Sequence, residues 1–186
     1  MNEANPPDFN EWGYLAPPGP HKGSLCHIRF TFVENMVSSE TRPKLFNNMV
    51  GIIGTFINLL STDCFQVWIG GIFISNIQEP DDTDCCLLIS PETFNNADEA
   101  TQNLILKFMH PETDPTKSAE AVHRKMGCGL HILLNETDCT SPSYLVNKKA
   151  KEMMDTYYQW DSDRHPCGYF ICNTEEDKEN DTENNA

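Results

Sequence analysis

Two stretches of the chain decide its fold: VWIGGIFIS at residues 67–75 and EPDDTDCCLLI at residues 79–89. The β-branched and aromatic residues of the first stretch predict a strand that stops at Gly70 and Gly71. The second stretch predicts a strand over residues 83–89, which is apolar on both faces from its third residue onward, as a central strand is. The pair therefore predicts a strand hairpin in the middle of a β-sheet.

Two acidic residues, Asp82 and Asp84, stand where the second strand begins. Side chains two residues apart on a strand point to the same face, so these carboxylates lie side by side. Carboxylate oxygens bind a divalent cation of the magnesium type, and substrate phosphates and waters complete its shell. Gly70 and Gly71 leave room for the backbone to approach a phosphate. The alternative interpretation is a solvated turn, since EPDD at residues 79–82 has turn composition.

Regular patterns continue on both sides of this hairpin. Before it, apolar residues at helical spacing from Leu45 to Leu60 predict a helix that Ser38 or Ser39 caps. After it, we expect a helix opened by Ser90 and Pro91 that includes residues 97–109, helices over 116–126 and 143–158, and strands over 129–134 and 168–172. This order predicts an α+β fold in which helices back a small mixed β-sheet.

Composition divides the chain into three parts. Residues 1–23 are rich in proline and glycine and predict an extended arm whose aromatic side chains dock on the body. Residues 24–173 form the predicted domain, and residues 174–186 form an acidic tail that we expect to be disordered. The first 20 residues lack the apolar core of a signal peptide, and no apolar stretch is long enough to span a bilayer. We therefore expect a cytoplasmic protein without membrane contact.

The charge of the chain bears on its partners. It has 13 Lys and Arg against 28 Asp and Glu, a formal net charge of −15. A protein that binds nucleic acid through its phosphates needs a basic face, so a nucleic-acid partner is disfavoured, and so is anionic lipid. An acidic surface suits a basic protein partner instead. The eight cysteines form no C-x-x-C pair, which argues against a structural zinc site.

The glycine pair and the Asp-x-Asp pair together resemble the signature of the nucleotidyltransferase superfamily, which includes DNA polymerase β. The chain more narrowly resembles an uncharacterised small bacterial family with that fold. That family's arm pattern, F-x-x-x-G-x-L-x-P-x-G-x-H, reads FNEWGYLAPPGPH at residues 9–21. Its "VWIxGSF" reads VWIGGIF at residues 67–73, and its "DIDV" reads DTDC at residues 82–85. The segment from Trp160 to Ile171 resembles its closing turn and strand.

This resemblance implies a nucleoside triphosphate as ligand, Mg²⁺ or Mn²⁺ as cofactor, and transfer of a nucleotidyl group to a protein or small-molecule hydroxyl. It assigns Asp82 and Asp84 to the metal and to catalysis, and Gly70 and Gly71 to the nucleotide.

The chain departs from the family pattern at two positions. Ile72 stands where the family has a serine that holds the triphosphate, and His131 stands where the family typically has a third acid. His131 is interpreted either as a metal ligand or as a core histidine, and Glu136 or Asp138 as substitute acids. The alternative function is a degenerate fold that serves as a binding or regulatory module, for example in a toxin–antitoxin or phage-defence pair.

Overall fold

The fold is seen in a computed structural model that describes residues 8–62 and 65–174. The strands are β1 (Gly19–Lys22), β2 (Gln66–Gly70), β3 (Thr83–Ile89), β4 (Cys128–Leu134) and β5 (Gly168–Asn173). The helices are α1 (Leu25–Arg29), α2 (Thr41–Leu60), α3 (Pro91–Asn96), α4 (Glu99–Met109), α5 (Ser118–Met126) and α6 (Tyr144–Tyr158). The predicted α+β class is confirmed.

The strands form one five-stranded mixed sheet in the order β1-β5-β2-β3-β4. The predicted hairpin forms its centre, where β2 pairs antiparallel with β3 and Gly70 lies opposite Asp84. The next strand, β4, runs parallel to β3 and places Gly129 beside Asp84. The start of β3 therefore has the end of β2 on one side and the start of β4 on the other.

Helices cover both faces of the sheet, and the alternation of side chains along β3 decides which residues face which helix. On one face, the Thr83 hydroxyl lies 3.8 Å from the Met49 sulfur of α2. On the other face, Trp68 of β2 meets Tyr158 of α6 edge to face, with ring centroids 6.4 Å apart. Asp84 follows Thr83 directly, so its side chain lies on the face that α6 covers.

The start of α2 is capped by a distant residue. Its first turn was expected to begin at a serine cap, and the Ser39 hydroxyl does accept a hydrogen bond from the Arg42 amide at 3.2 Å. The carboxylate of Glu79 accepts further bonds from the amides of Glu40 and Thr41, both at 3.0 Å. A negative charge at a helix N-terminus is favourable, so the loop before β3 is fixed to the start of α2.

The structure adds a strand to the predicted extended arm, and it divides one predicted helix into two, so that helix prediction is wrong. The arm predicted for residues 1–23 contains β1, which pairs parallel with β5 from Gly19 to Lys22. Pro20 lacks an amide donor and is tolerated there because β1 is an edge strand. The single helix expected from Ser90 onward is two helices, because Ala97 is extended and the Asp98 carboxylate accepts from the Thr101 amide at 2.8 Å, which caps α4 afresh.

Two other expectations concern the ends of the chain and the membrane. The aromatic side chains expected to dock on the body include Phe9, whose ring lies 6.3 Å from that of Phe32. The tail predicted to be disordered lies outside the described residues from 175 onward. Among the described helices, none has the length and apolar character needed to cross a membrane.

Candidate functional site

The carboxylate of Asp84 lies in a space that two glycines keep clear. Gly71 has φ +75° and ψ −169°, a conformation open to glycine alone. A Cβ on Gly71 would lie 2.7 Å from one Asp84 carboxylate oxygen, and a Cβ on Gly129 would lie 2.2 Å from the other. Side chains at these two positions would therefore displace the carboxylate, which occupies the space that the two glycines leave.

Burial and a neighbouring charge give the Asp84 carboxyl an unusually high pKa. Removal from water and, next, the nearby charge of Asp82 raise the pKa of Asp84 to about 6, while His123 acts in the opposite direction. Asp82 lies nearer to solvent, and its Oδ2 is 3.0 Å from Nε2 of His123 on α5. The pair thus combines an outer carboxylate held by a histidine with an inner carboxylate held among glycines. Such a pair gains free energy when a cation neutralises it.

A cavity of about 720 Å³ opens above these two carboxylates. Its floor includes Gly71, Ile72, Asp82 and Asp84 from the hairpin. One wall is formed by the C-terminal end of α6 and the turn that follows, together with Tyr14 of the N-terminal arm. The wall residues of α6 and the turn are Thr156, Tyr157, Tyr158, Trp160, Asp161, Ser162, Arg164 and Cys167. This volume is within the range of small-molecule sites.

The aromatic wall is close enough to the carboxylates for their charges to interact. The negative charge of Asp84 is the main cause that raises the pKa of Tyr157. Tyr157 and Trp160 are half exposed, at 55% and 50%, so both offer aromatic surface to a ligand. Tyr158 is buried beneath them and packs against Gly70, where a Cβ would lie 2.0 Å from its ring.

The predicted site residues are not all brought together. Gly71, Asp82 and Asp84 line the cavity, whereas Gly70 lies under Tyr158 and does not line it. His131 pairs with Cys86, two residues further along the strands than the Asp84–Gly129 pair, and its ring contacts Tyr157 with centroids 6.1 Å apart. Burial lowers the pKa of His131, which favours the neutral imidazole.

The substitute acids suggested by the sequence lie at the wrong end of the sheet. The register pairs Ile89 with Leu134, so Glu136 and Asp138 follow the end of β4 remote from Asp84. At a rise of roughly 3.3 Å per residue, Glu136 lies about 20 Å along the strand direction from Gly129. The hypothesis that either residue completes the site of Asp82 and Asp84 is therefore wrong.

A different group of ligand-type side chains lies in the turn after α6. Asp161, Asp163 and His165 place their ligand atoms within 4.8 Å of one another, and this is the one such group of three within residues 8–62 and 65–174. His123 lies close to Asp82, but Asp82 and Asp84 together belong to no such group of three in the described part of the chain.

Sequence reasoning gave no role to Arg164, Trp160 or the tyrosines of the wall. The segment from Trp160 to Ile171 is interpreted from the sequence only as a closing turn and strand, because its distance from the hairpin in sequence hides its nearness in space. The Asp82–His123 contact was missed for the same reason, since 41 residues separate the two side chains.

The comparisons with known proteins identify a family. A family model described as a family of unknown function, DUF6932, matches residues 7–171. The chain belongs to the DUF6932 family. The match to DUF6932 extends from the N-terminal arm into β5 and so includes both walls of the cavity. No curated protein and no solved structure matches the chain.

Proposed function

We propose that the cavity binds a nucleoside triphosphate together with Mg²⁺ or Mn²⁺, and that the protein is a nucleotidyltransferase-like enzyme acting on a protein or small-molecule hydroxyl. The observation that carries the proposal is the meeting of Asp82, Asp84 and Gly71 in one nucleotide-sized cavity with an aromatic wall. The resemblance of the glycine pair and the Asp-x-Asp pair to the nucleotidyltransferase signature points to the same ligand.

The residues present fit a hard divalent cation. Two carboxylates supply the oxygen ligands that Mg²⁺ prefers, and the rest of its shell comes from waters and substrate phosphates. Burial and, next, the charge of Asp82 raise the pKa of Asp84 to about 6, so a bound cation would offset the cost of its negative charge. Gly71 and Gly129 let the Asp84 carboxylate pack between them, and Asp84 and Asp82 both line the cavity.

The rest of the cavity fits the organic part of a nucleotide. Aromatic side chains stack on nucleobases, and Tyr157 and Trp160 offer half-exposed rings in the same cavity as the carboxylates. The charge in the cavity also favours the metal complex over the free anion. Asp82, Asp84 and Asp161 line it with Arg164 as the one lysine or arginine among the lining residues, so an uncomplexed triphosphate meets net repulsion.

In nucleotidyl transfer, a hydroxyl oxygen bonds to the α-phosphorus, the bond from that phosphorus to the bridging oxygen breaks, and pyrophosphate leaves as the hydroxyl proton passes to water. Bound divalent cations supply neutralisation of the phosphate charge and activation of the attacking hydroxyl. The chain's own residues hold and orient: Asp82 and Asp84 fix the cation, and the aromatic wall fixes the base. The cytoplasm, the location expected from the sequence, supplies both triphosphate and magnesium.

Calorimetric titration of the full chain with ATP, GTP, CTP and UTP, with and without Mg²⁺, tests the binding. We expect binding of at least one nucleotide that requires the metal, is lost in Asp84→Asn and survives in the exposed neighbour variant Asp81→Asn. An α-phosphate label that appears on protein or on an added hydroxyl compound establishes transfer. The proposal is overturned if no nucleotide binds at millimolar concentration with either metal.

A second candidate is a module that binds the nucleotide without turnover and regulates a basic protein partner, as in a toxin–antitoxin or phage-defence pair. Two observations favour it: position 72 is Ile, and Asp82 and Asp84 together belong to no group of three ligand-type side chains within the described residues. Metal-dependent binding with no label transfer, together with co-purification of a basic partner, would select this candidate over the enzyme.

A further inference from the structure

Arg164 stands in the turn between α6 and β5 and lines the same cavity as the two carboxylates. It has the left-handed φ of +65°, which residues other than glycine adopt only at a cost in free energy. No side chain of the described residues forms an ion pair with its exposed guanidinium, although acids outnumber bases by about two to one in the chain. An arginine held in a strained turn beside a cavity, with its charge free, needs an explanation.

The turn around Arg164 is held by a network of hydrogen bonds centred on Asp161. The Asp161 carboxylate accepts from the amide of Asp163 at 2.9 Å and from the amide of His165 at 2.6 Å, and it lies 2.8 Å from His165 Nδ1. Trp12 of the arm stacks on the His165 ring, with centroids 4.9 Å apart and planes 19° from parallel. The backbone on both sides of Arg164 is thus held in place from two directions.

The hairpin side of the cavity lacks the group that would hold phosphates. Ile72 lines the floor directly after Gly71 and carries no hydrogen-bond donor on its side chain. A triphosphate bound there keeps negative charge that one cation on Asp82 and Asp84 does not fully offset. The planar guanidinium suits this role because it donates two parallel hydrogen bonds to phosphate oxygens and stays charged at all ordinary pH values.

We infer that Arg164 is the phosphate anchor of this cavity, binding the phosphate chain of a metal-bound nucleoside triphosphate in place of the hydroxyl that position 72 lacks. The inference rests on the proposed function and adds its anion-binding residue. It also gives the N-terminal arm a role, since Trp12 braces the turn that presents the guanidinium.

The test compares Arg164→Met and Arg164→Lys with the wild type by calorimetry, using Mg²⁺ with the nucleotide that the wild type binds and the matching nucleoside without phosphates. Arg124→Met is the matched control, because Arg124 is an exposed arginine of α5 outside the cavity lining. Loss of charge-assisted hydrogen bonds should weaken triphosphate binding by about 10- to 100-fold in Arg164→Met, with a smaller loss in Arg164→Lys. Nucleoside binding and Mn²⁺ binding alone should not change.

Three results would overturn the anchor. If Arg164→Met binds the triphosphate as tightly as the wild type while Asp84→Asn does not bind it, the proposed function stands and the anchor is wrong. If Arg164→Met weakens nucleoside and triphosphate equally, Arg164 shapes the cavity and binds no phosphate. If the wild type binds no nucleotide with either metal, the proposed function fails and the anchor fails with it.

Discussion

Replacement of Asp84 by asparagine should make the ligand-free protein more stable at neutral pH. The folded structure raises the pKa of Asp84 from 3.8 to about 6, mainly by removing the carboxylate from water. Each pKa unit corresponds to about 1.4 kcal/mol, so a rise of about two units costs the folded state up to about 3 kcal/mol once the group is ionised. Asparagine has nearly the same shape and no charge, and it removes this cost.

The sign of the pH dependence follows from the direction of the shift. The folded state holds the Asp84 proton more tightly than the unfolded chain does. Protonation of Asp84 therefore stabilises the folded state fully below pH about 4, and this stabilisation is lost as the pH rises through about 6. The increase in the free energy of unfolding caused by Asp84→Asn should therefore be near its maximum at pH 7.5 and absent at pH 4.

Urea unfolding at pH 4.0 and pH 7.5, followed by tryptophan fluorescence, measures this difference. The matched control is Asp81→Asn, an exposed acid in the same loop, which should change the free energy of unfolding by less than about 0.5 kcal/mol at either pH. The reasoning is refuted if Asp84→Asn is no more stable than the wild type at pH 7.5, or if its gain is equal at both pH values. Added Mg²⁺ should raise the midpoint of the wild type and leave that of Asp84→Asn unchanged.

Three further substitutions test the framework of the site. Arg42→Met should lower the free energy of unfolding, measured by urea titration, by about 4 kcal/mol. The reason is that the fully buried guanidinium donates to four backbone carbonyls, three of them in the stretch after Gly71. An unchanged urea midpoint would contradict this stabilising role of Arg42. Gly71→Ala should lower the free energy of unfolding by about 1–3 kcal/mol and abolish Mg²⁺ binding, since φ at position 71 is +75° and the added Cβ would meet the Asp84 carboxylate. Normal Mg²⁺ affinity of this variant in calorimetry would contradict the requirement for glycine beside Asp84. Tyr158→Phe should raise the thermal midpoint or leave it unchanged, because its buried hydroxyl has no hydrogen-bond partner within the described chain, and a clear loss of stability would show that it has one.

Much of the secondary structure could be predicted because its signals are local. The strand expected over residues 83–89 has those bounds as β3, and the helix expected over residues 143–158 begins one residue later as α6. The spacing of apolar residues along a segment shows which of its faces is apolar, and that face is the one that becomes buried. The strand β1 escaped notice since its four residues, with glycine and proline among them, carry no such pattern.

The residues of the candidate site were likewise predictable only where they are close in sequence. Asp82, Asp84 and Gly71 are close in sequence, so the spacing of one hairpin was enough to bring them together. Arg164 and Trp160 reach the cavity only because α6 crosses the sheet and ends above the start of β3. Glu136 and Asp138, in contrast, were expected near the site and are far from it, because the parallel pairing of β3 with β4 sends their ends in the same direction.

The sequence by itself determined the hairpin, its glycine pair and its two carboxylates, since these depend on backbone conformation and on the two-residue repeat of a strand. Only the tertiary structure decided that an aromatic wall and one arginine line the same cavity as those carboxylates and that His123 contacts Asp82. It also decided that, among the described residues, the two carboxylates belong to no group of three at ligand spacing. The physical reason is that a strand pattern fixes direction along one segment, whereas a cavity requires the packing of segments that are distant in the chain.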